Sequence, residues 1–264
     1  MDGSCVFCRA GRCARDLVAY GAQRAVGHRP LSVKSAKSIE PDQQAEINKV
    51  LTGYPRNHNY AIRKDRLEPS VRLYRRARVV TGLYADPVGA FLDIGSCRGY
   101  YVLQAAANPA CTAATGIDVV APFIEVSSRV GELMGSKAQF RVATVADVAA
   151  DPAAFGGPFQ TVLLIGTYHY LYWGSGLSDI CYGSHEAILD RLAEICTGRL
   201  LVSGRLDPDR LPSDIRPKMA DATDLQRREY CTAGFLQAAQ KHFEPHLAGH
   251  LGTYALYVLT RKNA

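Results

Sequence analysis

The reading of "FLDIGSCRGYYVLQAA", residues 91–106, decides the fold. Phe91, Leu92 and Ile94 form a short apolar run of the kind that fills a buried strand. Gly95-Ser96-Cys97-Arg98-Gly99 then makes a tight turn, and the stretch from Tyr100 reads as the start of a helix. Glycines at both ends of the turn let backbone approach a ligand and let the helix pack closely on the strand. The spacing is G-x-x-x-G, whereas a dinucleotide loop is G-x-G-x-x-G. Cys97 stands where nucleotide loops often carry glycine, and with a negative φ its backbone can face a ligand. Asp93, just ahead of the turn, would repel a pyrophosphate and can accept a hydrogen bond from a ligand ammonium.

Downstream, apolar strand-like runs alternate with helical patterns. The runs are "AFLDIG" (90–95), "ATGIDVV" (114–120), "AQFRVATV" (138–145), "TVLLIGT" (161–167) and "RLLVSGRL" (199–206). Such alternation specifies a parallel sheet with helices on both faces. The end differs, because residues 245–261 hold two apolar runs without a helix between them, an antiparallel pair. The expected class is α/β: a doubly wound, mostly parallel seven-stranded sheet with an antiparallel last strand. Residues 86–264 would form this domain, and residues 1–85 a Cys/Arg-rich, helical N-terminal extension that serves as a cap or lid. Within the extension, 40–52 and 68–84 have helical periodicity. The second of these carries Arg72, Arg75, Arg76 and Arg78.

Ligands of doubly wound sheets sit at the carboxyl ends of the strands. Asp118 ends the second strand, 25 residues after Asp93, or one β-α-β unit. A carboxylate there can accept both hydroxyls of a ribose. The two acids suit a ligand with an amino-acid end, a ribose end and no phosphate between, which describes S-adenosylmethionine. At these residues the chain resembles the class I S-adenosylmethionine-dependent methyltransferases, over 88–262. "LDIGSCRGYY" looks like their first motif, "GIDVV" their acidic second and "TVLLIGTYHYL" their fourth. The resemblance implies the Rossmann-like methyltransferase fold with S-adenosylmethionine as cofactor. Gly95, Cys97 and Gly99 would line its methionine part, Asp118 the ribose and Asp147 the adenine, with Asp93, Ser96, Val119 and Gly166 also at the cofactor.

Methyl transfer depends chiefly on alignment of the acceptor with the methyl carbon. "TYHYLY" (167–172) follows the fourth strand, beside the expected methyl. It lacks the acidic metal ligands of catechol-type enzymes and the Asn/Asp-Pro-Pro-aromatic motif of amino-directed DNA enzymes, so no metal is expected there. His169, with an ordinary pKa near neutrality, is the candidate general base. Tyr168, Tyr170 and Trp173 are candidate acceptor contacts, with core packing as their alternative. Tyr60 and Arg63, in the basic segment 57–66, are candidates on a lid. The irregular stretches 172–186 and 205–230 would select the substrate.

The net charge of +6 is unevenly spread, +9 over residues 1–85 and −3 over the rest. An anionic partner follows from the basic third, and a solvated helical face is its alternative. A small-molecule acceptor, oxygen-directed and in a biosynthetic setting, is preferred. RNA is less favoured, because no separate RNA-binding module is visible. A short "YH" likeness to transferases of the tRNA wobble uridine also exists. A non-catalytic S-adenosylmethionine-binding protein is a third reading. No apolar run reaches the roughly 20 residues of a membrane-spanning helix, and the N-terminus lacks a secretory core, so a cytoplasmic location without membrane partners is expected. Of eight cysteines, Cys5, Cys8 and Cys13 form C-x2-C-x4-C. With His28 they could hold zinc. Reduced thiols without metal are preferred, since one CxxC stands alone.

Overall fold

The computed structural model describes residues 30–262, apart from 36–37, 54–57 and 179. Cys5, Cys8, Cys13 and His28 lie outside the described residues. Among the described residues no helix is long and apolar enough to cross a membrane.

The extension contributes α1 (Pro41–Leu51), the hairpin strands β1 (Tyr60–Arg63) and β2 (Arg66–Pro69), and α2 (Val71–Val80). Pro41 begins α1, where its missing N–H costs nothing. Ser70 caps α2 by accepting from the Leu73 amide at 3.3 Å. The hairpin is a correction to the sequence reading, which placed a basic lid over 57–66. Tyr60, Ala61 and Ile62 are buried in succession, and an apolar run of that kind is pulled inward.

The sheet is built from β3 (Gly89–Ile94), β4 (Cys111–Asp118), β5 (Gln139–Val142), β6 (Phe159–Ile165), β7 (Cys196–Ser203), β8 (Phe243–Leu251) and β9 (Tyr254–Arg261). Its spatial order is β5-β4-β3-β6-β7-β9-β8. The first five strands run parallel, and β9 runs antiparallel to both β7 and β8. The expected seven-stranded, doubly wound sheet with an antiparallel last strand is therefore present. All six residues of β3 are buried, as a central strand covered on both faces must be.

The covering helices are α3 (Tyr100–Ala106), α4 (Ala121–Met134), α5 (Val145–Ala150), α6 (Tyr168–Trp173), α7 (His185–Ile195) and α10 (Thr232–Ala239). The segment 205–230, expected to be irregular, instead carries the short helices α8 (Arg216–Ala220) and α9 (Asp224–Glu229). A capping box closes the start of α9: Thr223 and Gln226 satisfy each other's backbone amides.

Two apolar cores flank the sheet. One joins α5, α6, α7 and α10 to it. The other joins α3 and α4 to it and also takes in Ile47, Leu51, Tyr60, Ile62, Leu73, Ala77 and Val80 of the extension. Residues 30–85 thus share a core with the sheet. Burying side chains such as Leu51, Leu73 and Val80 contributes roughly 1.5–3 kcal/mol each to that attachment.

Candidate active site

β3 neighbours both β4 and β6. The chain runs outward from β3 through β4 and β5 and then returns to β6 on its other side, and the crevice at the strands' carboxyl ends is where an open α/β sheet binds ligands. A cavity of about 1080 Å³ lies there. Its walls include Gly95 and Cys97 after β3, Asp118 and Val119 at the end of β4, Gly166, His169 and Tyr170 after β6, and Arg205 after β7. Small-molecule sites usually measure about 300–1,000 Å³, so this one has room for a cofactor and an acceptor together.

The loop after β3 is tightly built. Gly95 has φ +73°, and a Cβ there would lie 2.3 Å from Thr167 Oγ1, so no other residue fits. Gly99 has φ +72° and sits under the loop, where a Cβ would lie 2.4 Å from the Phe140 ring. It is not in the cavity wall, and its role is close helix packing. Cys97 has φ +50°, not the negative φ expected from sequence. A non-glycine residue held left-handed costs roughly 1–2 kcal/mol. The strain is offset by two contacts. The Cys97 amide donates to Asp118 Oδ2 at 2.9 Å, and its carbonyl accepts from Ser127 Oγ at 2.9 Å. Burial pushes the Cys97 thiol up to about 12, with the Asp118 charge adding to the effect. The side chain is therefore a protonated packing group.

Asp118 is the pivot of the site. Its Oδ2 holds the loop through Cys97, and its Oδ1 accepts from the Val120 amide at 3.0 Å. Each oxygen keeps a further lone pair for a ligand. Burial raises its pKa, while the hydrogen bonds oppose the rise. Asp93 is 4% exposed and lies outside the cavity wall. Desolvation, reinforced by Asp118, pushes it up to about 8. Ser96 is also buried outside the wall, with its hydroxyl unpartnered among the described residues.

His169 is 3% exposed, and neither ring nitrogen has a hydrogen-bond partner among the described residues. Desolvation, with the Arg205 charge beside it, holds its pKa down to about 3. The ring is therefore neutral at physiological pH, lower than the near-neutral value expected from sequence. It lies against Tyr170, with ring centroids 4.2 Å apart.

Other sequence candidates lie elsewhere. Asp147 is the capping-box residue of α5, accepting from the Thr144 amide at 2.8 Å, and does not line the cavity. Tyr60 is buried and donates to the Arg98 carbonyl at 2.6 Å. Arg63 is exposed on the hairpin, 3.7 Å from Glu68. Tyr168 is fully buried, with its hydroxyl 2.7 Å from His185 Nδ1. Trp173 packs edge-on against Tyr230 at 5.0 Å. None of these four lines the cavity. Sequence reasoning missed Arg98. Its Nη1 donates to the Leu51 and Gly53 carbonyls and to Asn59 Oδ1, at 3.1, 3.2 and 3.0 Å. His58, Arg72, Arg75 and Arg76 were also missed as cavity walls, although the Arg-x-x-Arg-Arg spacing was visible.

The residues fit S-adenosylmethionine: a glycine cradle, a fixed carboxylate with spare lone pairs one strand away, and ample volume. No family model matches the sequence, and no curated protein matches it. Solved structures do. The N-terminal domain of EvdMO1, solved with S-adenosylhomocysteine bound, superposes with a TM-score of 0.52 at 18% identity, covering 87% of this chain and 100% of that one. The N-methyltransferase NodS of Bradyrhizobium japonicum gives 0.41 at 12% identity, covering 66% of this chain and 86% of its own. The CurJ carbon methyltransferase gives 0.48 at 13% identity over 66% of this chain, which spans 48% of CurJ's length. In strand order and in its match to the whole of the EvdMO1 domain, the chain has the fold of the class I S-adenosylmethionine-dependent methyltransferases.

Proposed function

We propose that the protein is an S-adenosylmethionine-dependent methyltransferase that modifies an oxygen of a small-molecule acceptor. The observation that carries the cofactor part of this reading is Asp118, fixed by the Cys97 and Val120 amides at the edge of the cavity. A carboxylate so held accepts a diol without reorganising, and charge-assisted hydrogen bonds of that kind are the strong ones. When bound, the cofactor supplies an electrophilic methyl carbon on a sulfonium.

The chain's own residues bind, orient and exclude water. The Gly95–Cys97 turn and Gly166 offer backbone to the methionine part. His169 and Tyr170 face the space after β6. Neutral His169 is a weak base, so it serves first as a hydrogen-bond acceptor that orients a hydroxyl lone pair. As the new bond forms, the oxygen becomes strongly acidic, and even a weak base then takes its proton. A carboxylate acceptor would need no base at all.

Titration calorimetry with S-adenosylhomocysteine tests the reading. Wild type should bind, and Asp118→Ala should bind at least tenfold more weakly while retaining a cooperative melt. Equal affinity in the two proteins would remove Asp118 from the cofactor site.

A further inference from the structure

α2 has two unlike faces. Leu73, Ala77 and Val80 are buried in the core, while Arg72, Arg75 and Arg76 line the cavity. The spacing i, i+3, i+4 puts the three guanidiniums on one side of the helix. None of them is ion-paired with a carboxylate among the described residues. Arg76 Nε is also buried without a hydrogen-bond partner among those residues. A buried donor left unsatisfied costs about 1–3 kcal/mol, so this one calls for an acceptor beyond the described residues. Arg205 adds a fourth positive charge to the wall. The acids in the wall are Asp118, already engaged by two amides, and the exposed Asp214.

We propose that this face of α2 is the acceptor-binding wall of the methyltransferase, and that the acceptor carries an oxyanion group, a carboxylate or a phosphate. The inference rests on the methyl-transfer reading for the word acceptor, but the anion site stands on α2 alone. Guanidiniums suit either group because their forked donors match two oxygens at once. The concave wall favours a small anion over a nucleic acid backbone, which would need charge spread along an open surface.

The test uses the full chain saturated with S-adenosylhomocysteine, with benzoate, phenyl phosphate and neutral benzamide as calorimetric probes. The two anions should bind, and benzamide should be at least tenfold weaker. Arg72→Gln and Arg75→Gln should each weaken anion binding roughly tenfold or more, while the affinity for S-adenosylhomocysteine and the melting temperature stay near wild type. The ratio of benzoate to phenyl phosphate affinity tells which oxyanion the wall prefers. Equal binding of benzamide, or no binding of either anion at millimolar concentration, overturns the proposal and leaves methyl transfer standing. Loss of S-adenosylhomocysteine affinity in the arginine variants also overturns it, because the arginines would then hold the cofactor's own carboxylate. Tight, salt-sensitive tRNA binding that the variants abolish would replace the small anion with RNA. If S-adenosylhomocysteine does not bind at all, methyl transfer fails, and anion binding by the apo chain still decides whether α2 holds an oxyanion.

Discussion

His169 illustrates how a single residue can work against stability. Two buried ring nitrogens without partners among the described residues are costly, and a side chain selected for packing alone would be apolar. His169→Leu should therefore raise the unfolding free energy of the ligand-free protein at pH 8 by about 1 kcal/mol, since the lost desolvation penalty outweighs the small change of shape. Chemical denaturation reads this directly, and a loss of stability would make the ring a structural group. In the wild type, nitrogen-detected NMR of the labelled imidazole should show no titration between pH 5 and 8, because the pKa is held near 3. The sequence placed this histidine correctly after β6, since the strand pattern was plain. Its protonation state was hidden, because burial and the field of Arg205, 36 residues away in sequence, set it. The same applies to Cys97. Its position in the loop was legible, but its left-handed backbone depends on Asp118 and Ser127, which come from other elements.

Among the elements, those of the sheet were readable because buried parallel strands declare themselves as apolar runs and helices follow them at regular intervals. The β1–β2 hairpin was not, since four-residue strands are too short for periodicity to distinguish them from a loop. The aromatic residues of α6 divided in a way the sequence left open: Tyr170 reaches the cavity, while Tyr168 and Trp173 turn into the core. Arg98 shows what joins these elements. One buried guanidinium satisfies the last carbonyl of α1, the Gly53 carbonyl after it and the Asn59 side chain just before the hairpin, while its own residue sits in the loop after β3. Tyr60 returns a bond to the Arg98 carbonyl. Arg98→Met keeps the apolar stem and removes the donors, so it should lower the unfolding free energy by about 2–4 kcal/mol. Arg98→Lys should recover only part of this, because the lysine side chain is one atom shorter than the path to Nη1, which makes all three bonds. A change below about 0.5 kcal/mol in either variant would mean that the tie is idle.

For the whole molecule, the buried titratable groups set opposing slopes of stability with pH. His58, His169 and His185 are held at about 4, 3 and 4, chiefly by desolvation. Between those values and the ordinary 6.5, the unfolded chain binds protons that the folded chain refuses, so stability rises with pH. Asp93 acts the other way. Its folded pKa is about 8 against an ordinary 3.8, raised mainly by desolvation and also by Asp118, whose own pKa is raised too. From pH 4 to 8 the folded chain keeps a proton on Asp93 that the unfolded chain has released, so this contribution is fully present below pH 4 and is lost as pH rises through 8. Below about pH 6 the three histidines outweigh the carboxyls. Above about pH 7 the unfolded histidines together hold less than one proton and Asp93 dominates. Stability should therefore crest between about pH 6 and 7 and decline toward pH 8 by an amount on the order of 1 kcal/mol. Asp93→Asn keeps the size of the side chain and cannot ionise, so it should flatten the alkaline decline and steepen the acid limb, where the histidine slope is then unopposed. Denaturation curves at half-unit steps from pH 5 to 8.5 measure both limbs. A decline that persists in Asp93→Asn would assign it to Asp118 or to groups outside the buried carboxyl pair.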